Sequence, residues 1–178
     1  MAVARIMYYY RNSGCEALEE QYLGDEYPIL EALPATTFNW DNILPKYKEG
    51  EYTQEQGEEV AKLMKYVGYA IKTEYSPFSS GSWIPTESLY KLGFSTDTYN
   101  TGEIPYYEIG SSNWWGLYND WKISDEELEN LLDRELEQGK PVLMAGYNKT
   151  YTVGHWYVVD GRDENGNYHI DFGYFKLS

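Results

Sequence analysis

Gly154-His155-Trp156-Tyr157-Val158-Val159-Asp160, then Asn165-Gly166, then Asn167-Tyr168-His169-Ile170-Asp171-Phe172 is the stretch that decides the fold. Both outer runs are rich in β-branched and aromatic residues, and Asn-Gly between two such runs is a strong short-range hairpin signal. A third run, Pro141-Val142-Leu143-Met144-Ala145-Gly146, reads as a strand just before them. Alternation puts His155, Tyr157 and Val159 on one face of their strand, and His169 and Asp171 on one face of the next. A pairing that sets His155 opposite Asp171 would let a carboxylate orient the imidazole, but other registers are open to the same pattern.

Working back from the sheet, the chain reads as helical. Ser124-Asp125-Glu126-Glu127 is a capping box, Leu128, Leu131, Leu132 and Leu136 follow on one stripe, and Gly139 with Pro141 beyond it ends the helix. A second box from Thr53 to Gln56 opens a helix whose buried face carries Val60, Leu63, Met64, Val67 and Ile71. Ala2, Val3, Ile6, Met7 and Tyr10 recur at helical spacing up to Asn12-Ser13-Gly14, so the chain opens within a helix that has no cap before it. Between these elements the pattern predicts a surface connection from Ser13 to Ala35 with a short helix around Glu16 to Tyr22. A packed turn follows from Thr37 to Pro45, then a small-residue loop from Ser76 to Ser82, and a short helix bracketed by Pro85 and Gly93 around Leu89 and Leu92. Thr96 to Trp121 has no clear period and reads as strand or insertion; its Trp114, Trp115 and Trp121 could line a peptide groove, but are better explained as cover for the sheet or the lobe interface. Helices first and an antiparallel sheet afterwards make the fold class α+β.

The 178 residues are one domain or two small lobes, and the 42% apolar content with 20 tyrosines supplies a core. A net charge of -15 opposes phosphate, which argues against nucleic acid or an anionic membrane as partner and favours a cationic or neutral peptide. The single cysteine, Cys15, allows no intrachain disulfide, and neither a metal site nor a cofactor is implied by the spacing of Cys and His. The first ten residues are not arranged as a signal peptide, and no run is long enough to cross a bilayer.

Several motifs in order resemble one family. Ala4-Arg5-Ile6-Met7-Tyr8-Tyr9, Thr37-Phe38-Asn39-Trp40-Asp41-Asn42, the helix-Gly-Lys-Pro-Val unit from Glu135 to Val142, Gly154-His155 before Val158-Val159-Asp160-Gly161, and Tyr168-His169-Ile170-Asp171 together resemble the streptopain family of papain-like cysteine peptidases, across nearly the whole chain. The resemblance implies a papain-like fold and peptide-bond hydrolysis by a Cys/His pair. It implies His155 as the catalytic histidine and Asp171 at the place of the asparagine that orients it. It further implies peptide or protein substrates, a propeptide or inhibitor domain as partner, and a secreted or cell-surface location.

The same resemblance sets two departures. Family members carry the nucleophile in a motif like Gly-Cys-Val-Ala-x-Ala-x-Ala-Gln-Ile-Met-x-Tyr, where the start of a helix favours thiolate. Matching Ala4, Ile6, Met7 and Tyr9 to it places that cysteine before Met1, so the domain of residues 1–178 is expected to lack the part that holds the nucleophile. Cys15 lies at the wrong end of this helix and reads as an incidental thiol. Where the family reads like Asn-Trp-Gly-Trp-Gly-Gly, this chain runs Asp171-Phe172-Gly173 straight into Tyr174-Phe175, and Phe172 replaces the tryptophan that shields the pair. Two expectations follow: a piece of a secreted cysteine peptidase, inactive as this chain, or a degenerate homologue that binds peptides or a propeptide-like inhibitor without cleaving them. A papain-fold domain of another kind, such as an amide transferase, is the third.

Overall fold

Helices come first and the sheet last. The computed structural model describes residues 1–13, 15–17, 20–21, 31–75, 80–82, 88–89, 91–93, 124–147 and 154–173. The chain divides into two units, Met1–Asp97 with Gly173–Ser178, and Thr98–Phe172.

In the first unit, helix α1 (Ala2–Tyr9) buries Ala2, Val3, Ala4, Ile6 and Met7 and runs into a 3-10 turn at Arg11–Ser13. Helix α2 (Gln54–Ala70) starts with the expected capping box, in which Thr53 and Gln56 exchange side-chain and backbone bonds. It packs against α1 and buries Leu63, Tyr66, Val67, Tyr69 and Ala70, so its apolar stripe is widened by two tyrosines. The packed turn forms a 3-10 helix at Trp40–Asn42 against α2, where the Phe38 ring meets Tyr66 edge-on at 5.9 Å and Asn39 N–H donates to Glu59 at 2.8 Å. Helix α2 ends with Lys72 N–H bonded to the Tyr69 carbonyl and Thr73 N–H to the Gly68 carbonyl, which forces Lys72 to φ 48. Strands β1 (Glu74–Tyr75) and β2 (Ser80–Gly81) pair antiparallel, so part of the expected Ser76 to Ser82 loop is strand.

The described residues between Ser13 and Ala35 are not all surface connection. Cys15, Ala17, Gln21 and Leu33 are buried, and in place of a helix around Glu16 to Tyr22 there are antiparallel bridges from Ala17 to Thr36 and from Gln21 to Leu33. The Gln21 N–H and carbonyl both bond to Leu33, at 2.7 and 2.8 Å, and so are not available to a helix. Residues 88–89 are helical and Leu92 is fully buried, while Pro85 lies outside the described residues, as does all of Thr96 to Trp121 with its three tryptophans.

In the second unit, helix α3 (Asp125–Glu137) carries the Ser124/Glu127 capping box. Past its end, Gly139 N–H bonds to Leu136 and Lys140 N–H to Glu135, a closure that needs the φ of 70 at Gly139. Strands β3 (Val142–Tyr147), β4 (Gly154–Arg162) and β5 (Tyr168–Asp171) form an antiparallel sheet in that order. Helix α3 packs on β3 and β4 and buries its own Leu132; Val158 and Val159 of β4 are also buried, and Asp133 of the helix accepts from Tyr168 Oη at 2.9 Å and pairs with Arg162. The β4–β5 loop is longer than an Asn-Gly turn, because Asp163 Oδ1 accepts from the N–H groups of Asn165 and Asn167 at 2.9 and 2.8 Å and gathers the loop around itself.

Candidate active site

Strand β4 is the central strand and carries His155. On the β3 side His155 pairs with Gly146, and Tyr157 with Met144. On the β5 side Val158 pairs with Asp171 and Val159 with Ile170, after which the register shifts to Gly161 and His169, leaving Asp160 as the extra residue of a bulge. The ladder therefore sets Asp171 opposite Val158 and not opposite His155. Val158 is three positions after His155, so alternation puts Asp171 on the Trp156 and Val158 face and His155 on the Tyr157 and Val159 face.

Phe172, one residue past β5, is on the His155 face. Its ring lies 6.1 Å from the imidazole with the planes tilted by 39°, and 5.5 Å from Tyr157. The imidazole also makes a polar contact: His155 Nε2 stands 2.7 Å from the Phe172 carbonyl oxygen. A carbonyl can only accept, so Nε2 carries the proton and the basic lone pair of the neutral ring is on Nδ1. His155 is half-buried and Phe172 is 47% exposed.

The second histidine is elsewhere. His169 Nδ1 is 2.5 Å from Asp160 Oδ1 on an exposed face, at the bulge, and makes no part of the His155 cluster. Cys15 is 3% exposed and burial pushes its thiol up to about 11. Roughly one molecule in ten thousand is then thiolate at pH 7, the reverse of an activated nucleophile. Among the described residues, no group of three or more His, Cys, Asp or Glu could hold a metal ion, and no helix is long and apolar enough to cross a membrane.

Three participants escaped the sequence reading. The Phe172 carbonyl left no signal, being a backbone atom. For Tyr157, alternation in the sequence gives only the face of its strand. Gly146 did leave one: a glycine inside a strand marks close approach, and here a Cβ would meet Tyr157 Cε1 at 3.2 Å.

The histidine is on β4, the strand after the one that follows the capped helix and the Gly-Lys-Pro-Val turn. Residues 1–175 match the Peptidase C10 family. The chain belongs to the peptidase C10 family. It is 29% identical over 186 aligned residues to streptopain from Streptococcus pyogenes serotype M28, covering 99% of this chain and 42% of that protein. It is 21% identical over 142 residues to the thiol protease/hemagglutinin PrtT of Porphyromonas gingivalis, covering 80% of this chain and 14% of that one. A solved structure of a prointerpain A fragment from Prevotella intermedia, carrying a cysteine-to-alanine mutation, superimposes with a TM-score of 0.66 at 22% identity, over 97% of this chain and 51% of that chain. The papain-like α+β fold inferred from the sequence is thus the observed one. This C10 chain spans less than half the length of the streptopains it matches.

Proposed function

We propose that these 178 residues hold the histidine half of a cysteine-peptidase site, with His155 as the proton carrier and no thiol of their own that acts as nucleophile. The observation that carries this is the bond from His155 Nε2 to the Phe172 carbonyl, which holds the ring with its base on Nδ1. In the reaction such a site serves, a thiolate attacks the peptide carbonyl to give a thioester. The imidazole first takes the thiol proton, then donates a proton to the leaving amine, and water releases the acid. His155 is suited to both transfers, since a proton gained at Nδ1 leaves the Nε2 bond intact and the resulting cation faces a carbonyl dipole.

Asp171 keeps a part in this reading, but a different one from that of an orienting side chain. Its ladder pairing with Val158 fixes the end of β5, and with it the place from which the next carbonyl reaches Nε2. Cys15 has no part in it, because its burial and raised pKa deny it the thiolate form. The substrate is a protein or peptide, as the names of the relatives suggest, and a propeptide-like inhibitor is the natural partner of the same site. A secreted or cell-surface setting fits the same family.

A second reading, of a homologue that binds peptide without cleaving it, is favoured by the short run from Asp171 through Phe172-Gly173 to Tyr174. One assay separates the readings. The 178-residue protein is incubated with casein, with and without a thiol alkylator, beside Cys15→Ala. The proposal expects no alkylator-sensitive hydrolysis from either protein. Sustained hydrolysis abolished by Cys15→Ala would overturn it, and saturable casein binding without turnover would favour the second reading.

A further inference from the structure

Gly146 is the point of β3 at which a side chain would obstruct the His155 face. It pairs with His155, and its bare backbone leaves room for the Tyr157 ring, whose Cε1 would sit 3.2 Å from a Cβ there. That ring is half-buried on β4, and burial raises its phenol above the usual value. It also meets Phe172 at 5.5 Å between centroids, with planes tilted by 47°.

The β4–β5 ladder ends at Asp171, one residue before the carbonyl that His155 uses, and the Phe172 side chain is 47% exposed, so its ring contact with Tyr157 is a restraint on Phe172 beyond the ladder. A small rotation of the peptide after Phe172 would carry its oxygen out of hydrogen-bond range, since such bonds weaken steeply with distance and angle.

We propose that Tyr157, seated on Gly146, is a positioning residue that braces the Phe172 ring and thereby holds the Phe172 carbonyl on His155 Nε2. Its importance to catalysis rests on the reading of His155 as the proton carrier given above, but the geometry is measurable without any turnover. Tyr157 does not touch the imidazole bond itself; it acts through Phe172. The aromatic ring is what is required, and the hydroxyl is not.

Long-range 1H–15N NMR of the 178-residue protein reads both the tautomer of His155 and the exchange of its Nε2 proton with water. Tyr157→Ala, which removes the brace, and Gly146→Ala, which displaces it, are expected to speed that exchange about tenfold, the scale of one lost hydrogen bond. Tyr157→Phe is expected to stay close to the parent. Exchange of the Val158 amide is expected to be unchanged in all three, which separates a local release from general loosening. If Tyr157→Ala does not fold, Gly146→Ala and Tyr157→Leu carry the test. Unchanged Nε2–H exchange in the folded variants would overturn the brace alone. A parent protein with its proton on Nδ1 would overturn the brace together with the proposed function.

Discussion

The imidazole of His155 and the main-chain carbonyl of Phe172 meet at 2.7 Å across neighbouring strands, while the Asp171 side chain next to that carbonyl belongs to the other face of the sheet. Orientation by a backbone atom has a consequence. No single side-chain substitution removes the acceptor, so loss of orientation has to come from displacing the chain that carries it. The tilted contacts of Phe172 with His155 and Tyr157 are restraints on that chain beyond the end of the ladder.

Cys15 is expected to resist alkylation. With its thiol pushed from 9.0 to about 11 by burial, folding keeps the neutral form, so its contribution to stability is complete below pH 9 and is lost as pH rises through 11. The loss is on the order of 2 kcal/mol. Urea titrations between pH 8 and 11 should show a steeper decline for the parent than for Cys15→Ala. Mass spectrometry should find Cys15 unmodified by iodoacetamide at pH 8 in native buffer. Complete modification within minutes would contradict the buried assignment.

Thr53→Ala should cost about 1 kcal/mol in urea unfolding, because it removes the acceptor for the Gln56 N–H and half of the capping box of α2. The same change at Ser124, which caps α3, should cost a similar amount.

Two helix ends predict opposite signs. Lys72 sits at φ 48 and Gly139 at φ 70, each one residue past a helix C-cap. Lys72→Gly relieves the left-handed strain and should stabilise by roughly 0.5–1 kcal/mol, after allowing for the looser unfolded chain. Gly139→Ala imposes that strain and should cost about 1 kcal/mol. Thermal midpoints of the two variants should move in opposite directions from the parent.

Asp163 gathers the β4–β5 loop, and its bonds from Asn167, side chain first and then backbone, with further ones from Asn165, hold its carboxyl below the ordinary 3.8. A depressed carboxylate stabilises the fold above that ordinary value and loses its effect as pH falls through the folded one. Asp163→Ala should therefore lower the thermal midpoint at pH 7, with parent and variant converging in acid. A constant gap down to the lowest pH would show that the carboxylate charge is not what holds the loop.

The parts of this fold that are legible in sequence are those governed by local chemistry. Thr53 and Ser124 announce helix starts because a cap needs a short oxygen-bearing side chain three residues before its partner, and Gly139 announces an end because few other residues tolerate its φ. The bridges at Ala17 and Gln21 are invisible, since isolated pairs impose no alternation. The register of β5 is equally hidden. Asp160 bulges out of β4, so spacing along the chain does not count rungs of the ladder. His155 could be named from its motif, but its acceptor is a carbonyl that every residue possesses.

The most direct test of the account compares the neutral His155 imidazole in the parent and in Asp171→Ala by long-range 1H–15N NMR. If the Phe172 carbonyl is the orienting group, both proteins will show the proton on Nε2. A parent with its proton on Nδ1, or a tautomer that changes when the Asp171 carboxylate is removed, would contradict it.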